Sequence, residues 1–218
     1  MMQKEIFLDG EADAWFERNH DLLKTRIYDL FDPVINAVSF TMKQSRYTEE
    51  IKVLEIGCGE ATRLVWLAEH LGVEAYGIDP SSKAVELAKR SGVKVKQGTA
   101  DTLPFGSDSF DIVIFGFCLY VCDREDLFKI AQEADRVLKK KSWLIINDFF
   151  SPTPTSSRYH HKAGVYSFKM DYRKLFDWHP AYTCFSHQLN HHNQSEFLDD
   201  TKEWISTSVL RKNTLNYE

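Results

Sequence analysis

From residue 51 onward the apolar positions of this chain fall into a repeating rhythm. Residues 52–57 form a short β-branched run closed by glycine, the pattern of a buried strand. Ala61, Leu64, Val65, Ala68 and Leu71 then recur at helical spacing, and Gly72 is placed to stop that helix. A second strand is expected over 74–79. A helix should follow from Pro80, with Ala84, Val85 and Ala88 inward and Gly92 as its stop. The third strand is 93–97 and the fourth, strongly apolar, is 110–117. Leu127, Ile130, Ala131, Ala134, Val137 and Leu138 mark the next helix, and 143–149 the fifth strand. Strands alternating with helices make parallel βαβ units, whose right-handed crossovers place helices on both faces of one sheet. The expected fold class is therefore α/β and doubly wound. Strands 110–117 and 143–146 suit the sheet centre, where both faces are covered.

The first fifty residues read differently. Trp15, Asn19, Leu22, Leu23, Ile27, Leu30 and Phe31 follow the 3,4 spacing of one amphipathic helix. Asp32 and Pro33 supply an N-cap and a first helical residue for a second, carrying Val34, Ile35, Val38 and Met42. Residues 1–50 are thus expected to form an N-terminal helical cap on a single unit, 51–218. Past Phe150 the rhythm breaks. Residues 151–157 have loop composition, 170–178 suit a short helix, and 182–189 and 204–211 read as strands around a polar turn.

Composition narrows the class. The hydrophobic fraction is 43%, the charged fraction 27% and the net charge −5, so a core needing neither disulfide nor metal is expected. A nucleic-acid partner is not expected, because phosphate binding calls for a basic excess. No apolar run approaches the length of a membrane span, and residues 1–10 do not read as a secretion signal. Cys58, Cys118, Cys122 and Cys184 form no Cys-x-x-Cys pair and read as reduced thiols in a cytoplasmic protein.

The chemistry gathers at the strand ends. Glu55, Gly57 and Gly59 lie between the first strand and its helix, where glycines let a ligand approach the backbone beside a helix N-terminus. Asp79 ends the second strand, about twenty residues on, where a carboxylate can accept from ribose hydroxyls. Asp101 follows the third strand, within reach of an adenine edge. All of these fall at the carboxyl ends of neighbouring strands, where open α/β sheets bind ligands. A dinucleotide site fits poorly. Thr62 stands where the third glycine of Gly-x-Gly-x-x-Gly belongs, and Glu60 would set a carboxylate beside a pyrophosphate.

In this order the segments resemble the motifs of class I S-adenosyl-L-methionine (AdoMet) dependent methyltransferases. Residues 53–59 resemble the first motif, 78–81 the second, 98–105 the third and 109–114 the fourth. The resemblance covers roughly 51–149. It implies a seven-stranded, mostly parallel sheet ordered 3-2-1-4-5-7-6, with strand seven antiparallel and 182–189 and 204–211 as strands six and seven. It also implies that Glu55, Gly57 and Gly59 flank the methionine part of AdoMet, that Asp79 and Pro80 meet the ribose, and that Asp101 and Thr102 meet the adenine. Phe117 would lie near the methyl group.

The activity so implied is methyl transfer to oxygen or nitrogen of a small polar acceptor, a sugar among the candidates. The alternatives are a non-catalytic AdoMet-binding or partner-binding protein on the same fold, or a macromolecule methyltransferase. Asp148, on the rim of strand five, either orients or deprotonates an acceptor or caps a loop. His160 and His161, in a lid-like loop, are candidate bases. Arg18, Tyr120 and Tyr159 are candidate acceptor contacts. The aromatic residues of the last third offer either an acceptor pocket or core packing. His187 and His191 lack the His-Glu-x-x-His pattern, so no metal is expected. The oligomeric state stays open.

Overall fold

The computed structural model describes residues 2–45, 50–192 and 198–215. Its centre is a seven-stranded sheet built from β1 (Lys52–Ile56), β2 (Glu74–Asp79), β3 (Lys94–Gln97), β4 (Phe110–Gly116), β5 (Leu138–Phe149), β8 (Tyr182–His191) and β9 (Trp204–Lys212). The order is β3-β2-β1-β4-β5-β9-β8. β1 to β5 run parallel, while β9 pairs antiparallel with both β5 and β8. The α/β class is as expected, and the order differs from the 3-2-1-4-5-7-6 of the sequence reading only in numbering, since β8 and β9 take the places of strands six and seven. Two extra strands precede the last pair. β6 (Thr155–Arg158) and β7 (Tyr166–Lys169) pair only with each other, in a separate hairpin where a loop was expected.

Successive residues of each buried strand face opposite sides of the sheet, and the two faces hold separate cores. Leu54, Val113, Leu144 and Ile146 pack with α6 (Leu127–Val137) and α7 (Lys174–Asp177). Val53, Ile112, Ile114 and Ile145 pack with α3 (Pro33–Gln44), α4 (Thr62–Leu71) and α5 (Ser82–Ala88). The helix signals read from sequence hold for α3, whose Asp32 carboxylate accepts from the N–H groups of Val34 and Ile35 at 3.0 Å. They hold too for α4, which ends on Gly72 at φ 66°.

The first helix departs from expectation. α1 (Gln3–Ile6) runs through a wide turn over Phe7–Glu11 into α2 (Ala12–Lys24), which stops well short of Phe31. α2 buries Ala12 and Phe16, whereas Leu22, Ile27, Leu30 and Phe31 are 72%, 81%, 54% and 93% exposed. Polar anchors decide this seating. Asp13 accepts from the Ser81 and Ser82 hydroxyls and from the Lys83 N–H at 2.7, 2.8 and 3.1 Å, fixing α2 on the start of α5. Tyr172 and Phe176 of the aromatic-rich last third belong to the core, so they do not line a pocket. The polar turn expected between β8 and β9 falls partly on residues 193–197, outside the described residues.

Candidate active site

The turn after β1 is shaped by its glycines. Gly57 has φ 80°, and a Cβ there would sit 2.6 Å from the Cβ of Cys118. The position is therefore closed to other residues both by conformation and by contact. Gly59 has φ 54° with nothing within 4 Å of a built Cβ, so it faces open space. The Gly57 and Cys58 N–H groups donate to the Ile78 carbonyl at 2.9 and 3.2 Å, which holds the turn beside the end of β2.

Glu55 is buried under this turn. One carboxylate oxygen is ion-paired with Arg63 of α4, while Oε2 has no hydrogen-bond donor. Arg63 is itself buried and lies 3.5 Å from Asp32. Burial pushes the Glu55 carboxyl up, and the Arg63 guanidinium opposes that shift. Asp79 accepts from Gly59 N–H at 2.8 Å and Ser81 N–H at 2.9 Å. Burial raises its carboxyl above the ordinary range, against the pull of those two donors. Pro80 stands beside it, half-buried.

Asp101 is also buried, but it is already engaged. Lys4 Nζ lies 2.9 Å and Lys129 Nζ 3.4 Å from Oδ2. Burial would raise its carboxyl, yet the hydrogen bonds and the lysine charges prevail and hold it at about 2. Thr102 is exposed to solvent. The structure thus brings Glu55, Gly57, Gly59, Asp79 and Pro80 to one rim, with Asp101 alongside under Lys4.

On the far side, Phe117 follows the end of β4, and its φ of 61° is left-handed. Its ring meets those of Phe149 at 4.9 Å, His192 at 5.2 Å and Tyr120 at 6.0 Å. Trp15 of α2 hydrogen-bonds the Tyr120 side chain. Asp148 lies beneath this group with no exposed surface. Its oxygens accept from the N–H groups of Leu119 at 2.7 Å and Phe149 at 2.8 Å, and the Cys118 and Tyr120 N–H groups add to them. Burial nevertheless raises its carboxyl to about 7. Of the two readings of Asp148, this geometry matches loop capping: its acceptor sites are filled by backbone and none faces outward.

His160 and His161 are exposed on the turn of the β6–β7 hairpin, their rings 4.0 Å apart. Arg18 and Tyr159 meet directly, with the guanidinium donating to the phenol oxygen at 3.0 Å and Arg18 also paired with the buried Glu11. Arg18 and Tyr159 thus form a polar contact between α2 and the hairpin. Among the described residues no group of three or more His, Cys, Asp or Glu side chains is placed to hold a metal ion, and no helix is long and apolar enough to cross a membrane. All four cysteines are free thiols. Burial pushes Cys58 and Cys118 well up and Cys122 to about 12, so these three stay protonated.

Sequence reasoning passed over Lys4, Gln3, Asp13 and Arg63, and took His192 only as a question about metals. Phe149 was legible as the neighbour of Asp148 at a strand end. The N-terminal partners Gln3, Lys4 and Asp13 carry no local signal, because these contacts are to residues 68 to 163 positions away.

Residues 54–146 match the family model described as a methyltransferase domain. The matched segment runs from β1 to β5 and holds Glu55, both glycines, Asp79 and Asp101. Residues 54–146 are thus similar to a methyltransferase domain, carried on the α/β fold described above. Among curated proteins the methyltransferase domain is similar to an uncharacterized methyltransferase, YcgJ of Bacillus subtilis, with 31% identity over 119 residues covering 51% of this chain and 46% of that protein. A demethylmenaquinone methyltransferase of a Geobacillus strain is 28% identical over 155 residues, covering 63% and 65%. The chain therefore spans between about half and two thirds of the length of these relatives. Among solved structures, the Burkholderia thailandensis 1,6-didemethyltoxoflavin-N1-methyltransferase superposes with a TM-score of 0.71 at 15% identity, over 96% of this chain and 89% of that one. That protein was solved with 1,6-didemethyltoxoflavin and S-adenosylhomocysteine bound.

Proposed function

We propose that this protein binds AdoMet at the β1–β2 rim and transfers its methyl group to an oxygen or nitrogen atom of a small acceptor. The observation that carries the reading is the Glu55 carboxylate. A buried acceptor atom without a donor is costly, and Glu55 Oε2 is such an atom, under a glycine turn that permits close approach. Glu55 Oε2 would accept from the ammonium end of AdoMet, or from a water held by it. The surrounding charge agrees. Glu55 and Asp79 are acidic groups, which favour a sulfonium and disfavour a pyrophosphate.

When bound, AdoMet supplies an already activated methyl group on a good leaving group. The residues of the chain bind and orient. Asp79 would accept from the ribose hydroxyls, Gly57 and Gly59 would let the methionine part lie close, and Asp101 would face the adenine once Lys4 shares or releases it. Phe117 and its neighbours would hold the acceptor in line with the methyl group, so that rate is gained by proximity and orientation. Residues 1–50 act in this reading as a cap. Asp13, Trp15 and Gln3 fasten it over the rim, Gln3 by exchanging hydrogen bonds with the Tyr166 backbone at 3.1 and 2.6 Å.

Support for a small acceptor comes from the names of the similar proteins and from the absence of a basic excess in the composition. Isothermal calorimetry with S-adenosylhomocysteine is the deciding experiment. Micromolar binding is expected, and no heat at millimolar ligand, or preference for a nicotinamide dinucleotide, would overturn the reading. Binding without methylation of any acceptor would favour a non-catalytic AdoMet-binding protein instead.

A further inference from the structure

Phe117, Tyr120, Phe149 and His192 bring four rings together at the carboxyl ends of β4, β5 and β8. Besides the contacts of Phe117, Tyr120 lies 5.2 Å from Phe149, and the His192 imidazole 5.0 Å from Phe149. Two facts separate this group from ordinary packing. None of the four belongs to either of the clusters that fill the sheet faces, and each keeps part of its surface open. The group is also held by backbone devices and not by collapse alone. Phe117 keeps its left-handed φ, a conformation unfavourable for a non-glycine residue, while its N–H donates to the Asn147 carbonyl at 2.9 Å. Asp148 clamps the next turn. Maintained strain at a rim marks a place where one side chain must be aimed.

The chemistry of the group selects among acceptors. A sugar needs many hydrogen-bonding partners, and these rings offer few: the Tyr120 hydroxyl is already bonded to Trp15. Aromatic faces instead favour another ring, stacked or edge-on. Lys169 Nζ, 4.0 Å from the centre of the Phe149 ring, adds a cation that suits an electron-rich π system. His192 is the group's one titratable base. Its Nδ1 lies 3.7 Å from Glu203 Oε2, and its side chain is 38% exposed, which gives a proton a route to water.

Resting on the methyltransferase reading above, we propose that the acceptor is a planar aromatic or heteroaromatic molecule bearing a ring-bound O–H or N–H, seated against Phe117, Tyr120 and Phe149, and that His192 takes its proton. In the transfer, a lone pair on the acceptor's heteroatom forms the bond to the methyl carbon. The carbon–sulfur bond breaks, and its electron pair stays on sulfur. The heteroatom becomes strongly acidic as the methyl arrives, its proton passes to Nε2 of His192, and His192 releases that proton to water. Burial lowers the His192 imidazole below its ordinary range; of the charged groups around it, Glu203 favours the imidazolium, while Lys169, Arg26 and His191 oppose it.

The test uses the full chain with S-adenosylhomocysteine bound and ligand-observed NMR. Its probes are 8-hydroxyquinoline and 3,4-dihydroxybenzoate, against methyl glucoside and cyclohexanol. The aromatic probes should bind, and Phe117→Leu and Phe149→Leu, which keep apolar bulk, should weaken them about tenfold. With AdoMet, at least one aromatic probe should be methylated. His192→Asn should leave that probe's affinity within about threefold, lower kcat at least tenfold, and abolish the fall of kcat at acid pH. The proposal is overturned if the aliphatic probes bind as well as the aromatic ones, if no aromatic probe binds or is methylated while S-adenosylhomocysteine binds, or if His192→Asn keeps full kcat. Failure to bind S-adenosylhomocysteine would instead remove the reading beneath it.

Discussion

Lys4 Nζ lies 2.9 Å from Asp101 Oδ2 and 2.7 Å from Asp126 Oδ2, so the second residue of α1 closes over the carboxylate that ends the third βα unit. Asp101 is held at about 2, below its ordinary value. A depressed carboxylate stabilises the fold above its unfolded pKa, near 3.9, and that contribution is lost as pH falls towards the folded value. Lys4→Met should therefore destabilise the protein at pH 7 by about 1 kcal/mol, the scale of a partly solvated ion pair. The difference from wild type should shrink from pH 4 to pH 2.5. Urea titrations across that range measure it, and a pH-independent difference would show that Lys4 acts by packing alone.

Asp79 sits where β2 ends, receiving N–H groups from both the glycine turn and the start of α5. If its oxygens also accept from ribose, Asp79→Ala should weaken S-adenosylhomocysteine binding by about 1.5–3 kcal/mol, the range for hydrogen bonds to a charged group. This corresponds to about ten- to a hundredfold in Kd. Calorimetry on the folded variant measures it directly, and an unchanged Kd would remove Asp79 from the cofactor site.

The two glycines of the turn should respond unequally. At Gly57 an alanine meets both a left-handed φ and the Cys118 Cβ at 2.6 Å; at Gly59 it meets only the φ. Gly59→Ala should cost about 1–2 kcal/mol. Gly57→Ala should cost more, because well-packed backbone must move. At about 2–4 °C in Tm per kcal/mol for a chain of this size, differential scanning calorimetry separates the two. Equal losses would mean that the Cys118 loop yields freely.

How far the sequence was legible follows from the range of each interaction. Helix and strand signals are local, so β1 to β4, α4 and α6 stood where periodicity put them, although β5 begins at Leu138, a residue the periodicity gave to the helix, and the Asp32 cap and Gly72 stop were readable residue by residue. The strand ends inherited that accuracy, which brought Glu55, Gly57 and Asp79 to one rim. Long-range polar contacts were not legible. Leu22, Ile27 and Phe31 satisfied helical spacing, but Asp13 on Ser81 and Lys83 decided which part of the segment was buried. β6 is short and exposed and β7 short and half-buried, so their hairpin shows no apolar alternation, and its turn leaves His160 and His161 exposed. The Lys4–Asp101 pair joins residues far apart in the chain, and no spacing rule reports such a pair.

Asp148 offers the sharpest pH prediction. Four backbone N–H groups would ordinarily depress a carboxyl, yet complete burial outweighs them and sets it at about 7. The unfolded chain titrates near 3.9. Between these values the folded state holds a proton that the unfolded state has lost. Stability from this group is therefore full below pH 4 and declines as pH rises to 7. Asp148→Asn removes the titration, so the stability of wild type relative to the variant should fall steadily from pH 4 to pH 7 and level off above. Asn presents its amide N–H₂ towards a backbone donor, so the turn over Leu119–Val121 should loosen and the Phe117 ring with it. Guanidinium titrations at four pH values, with tryptophan fluorescence as the probe, give the slope. A difference that does not vary with pH would mean that Asp148 remains ionised throughout, stabilised by its four donors more strongly than burial destabilises it.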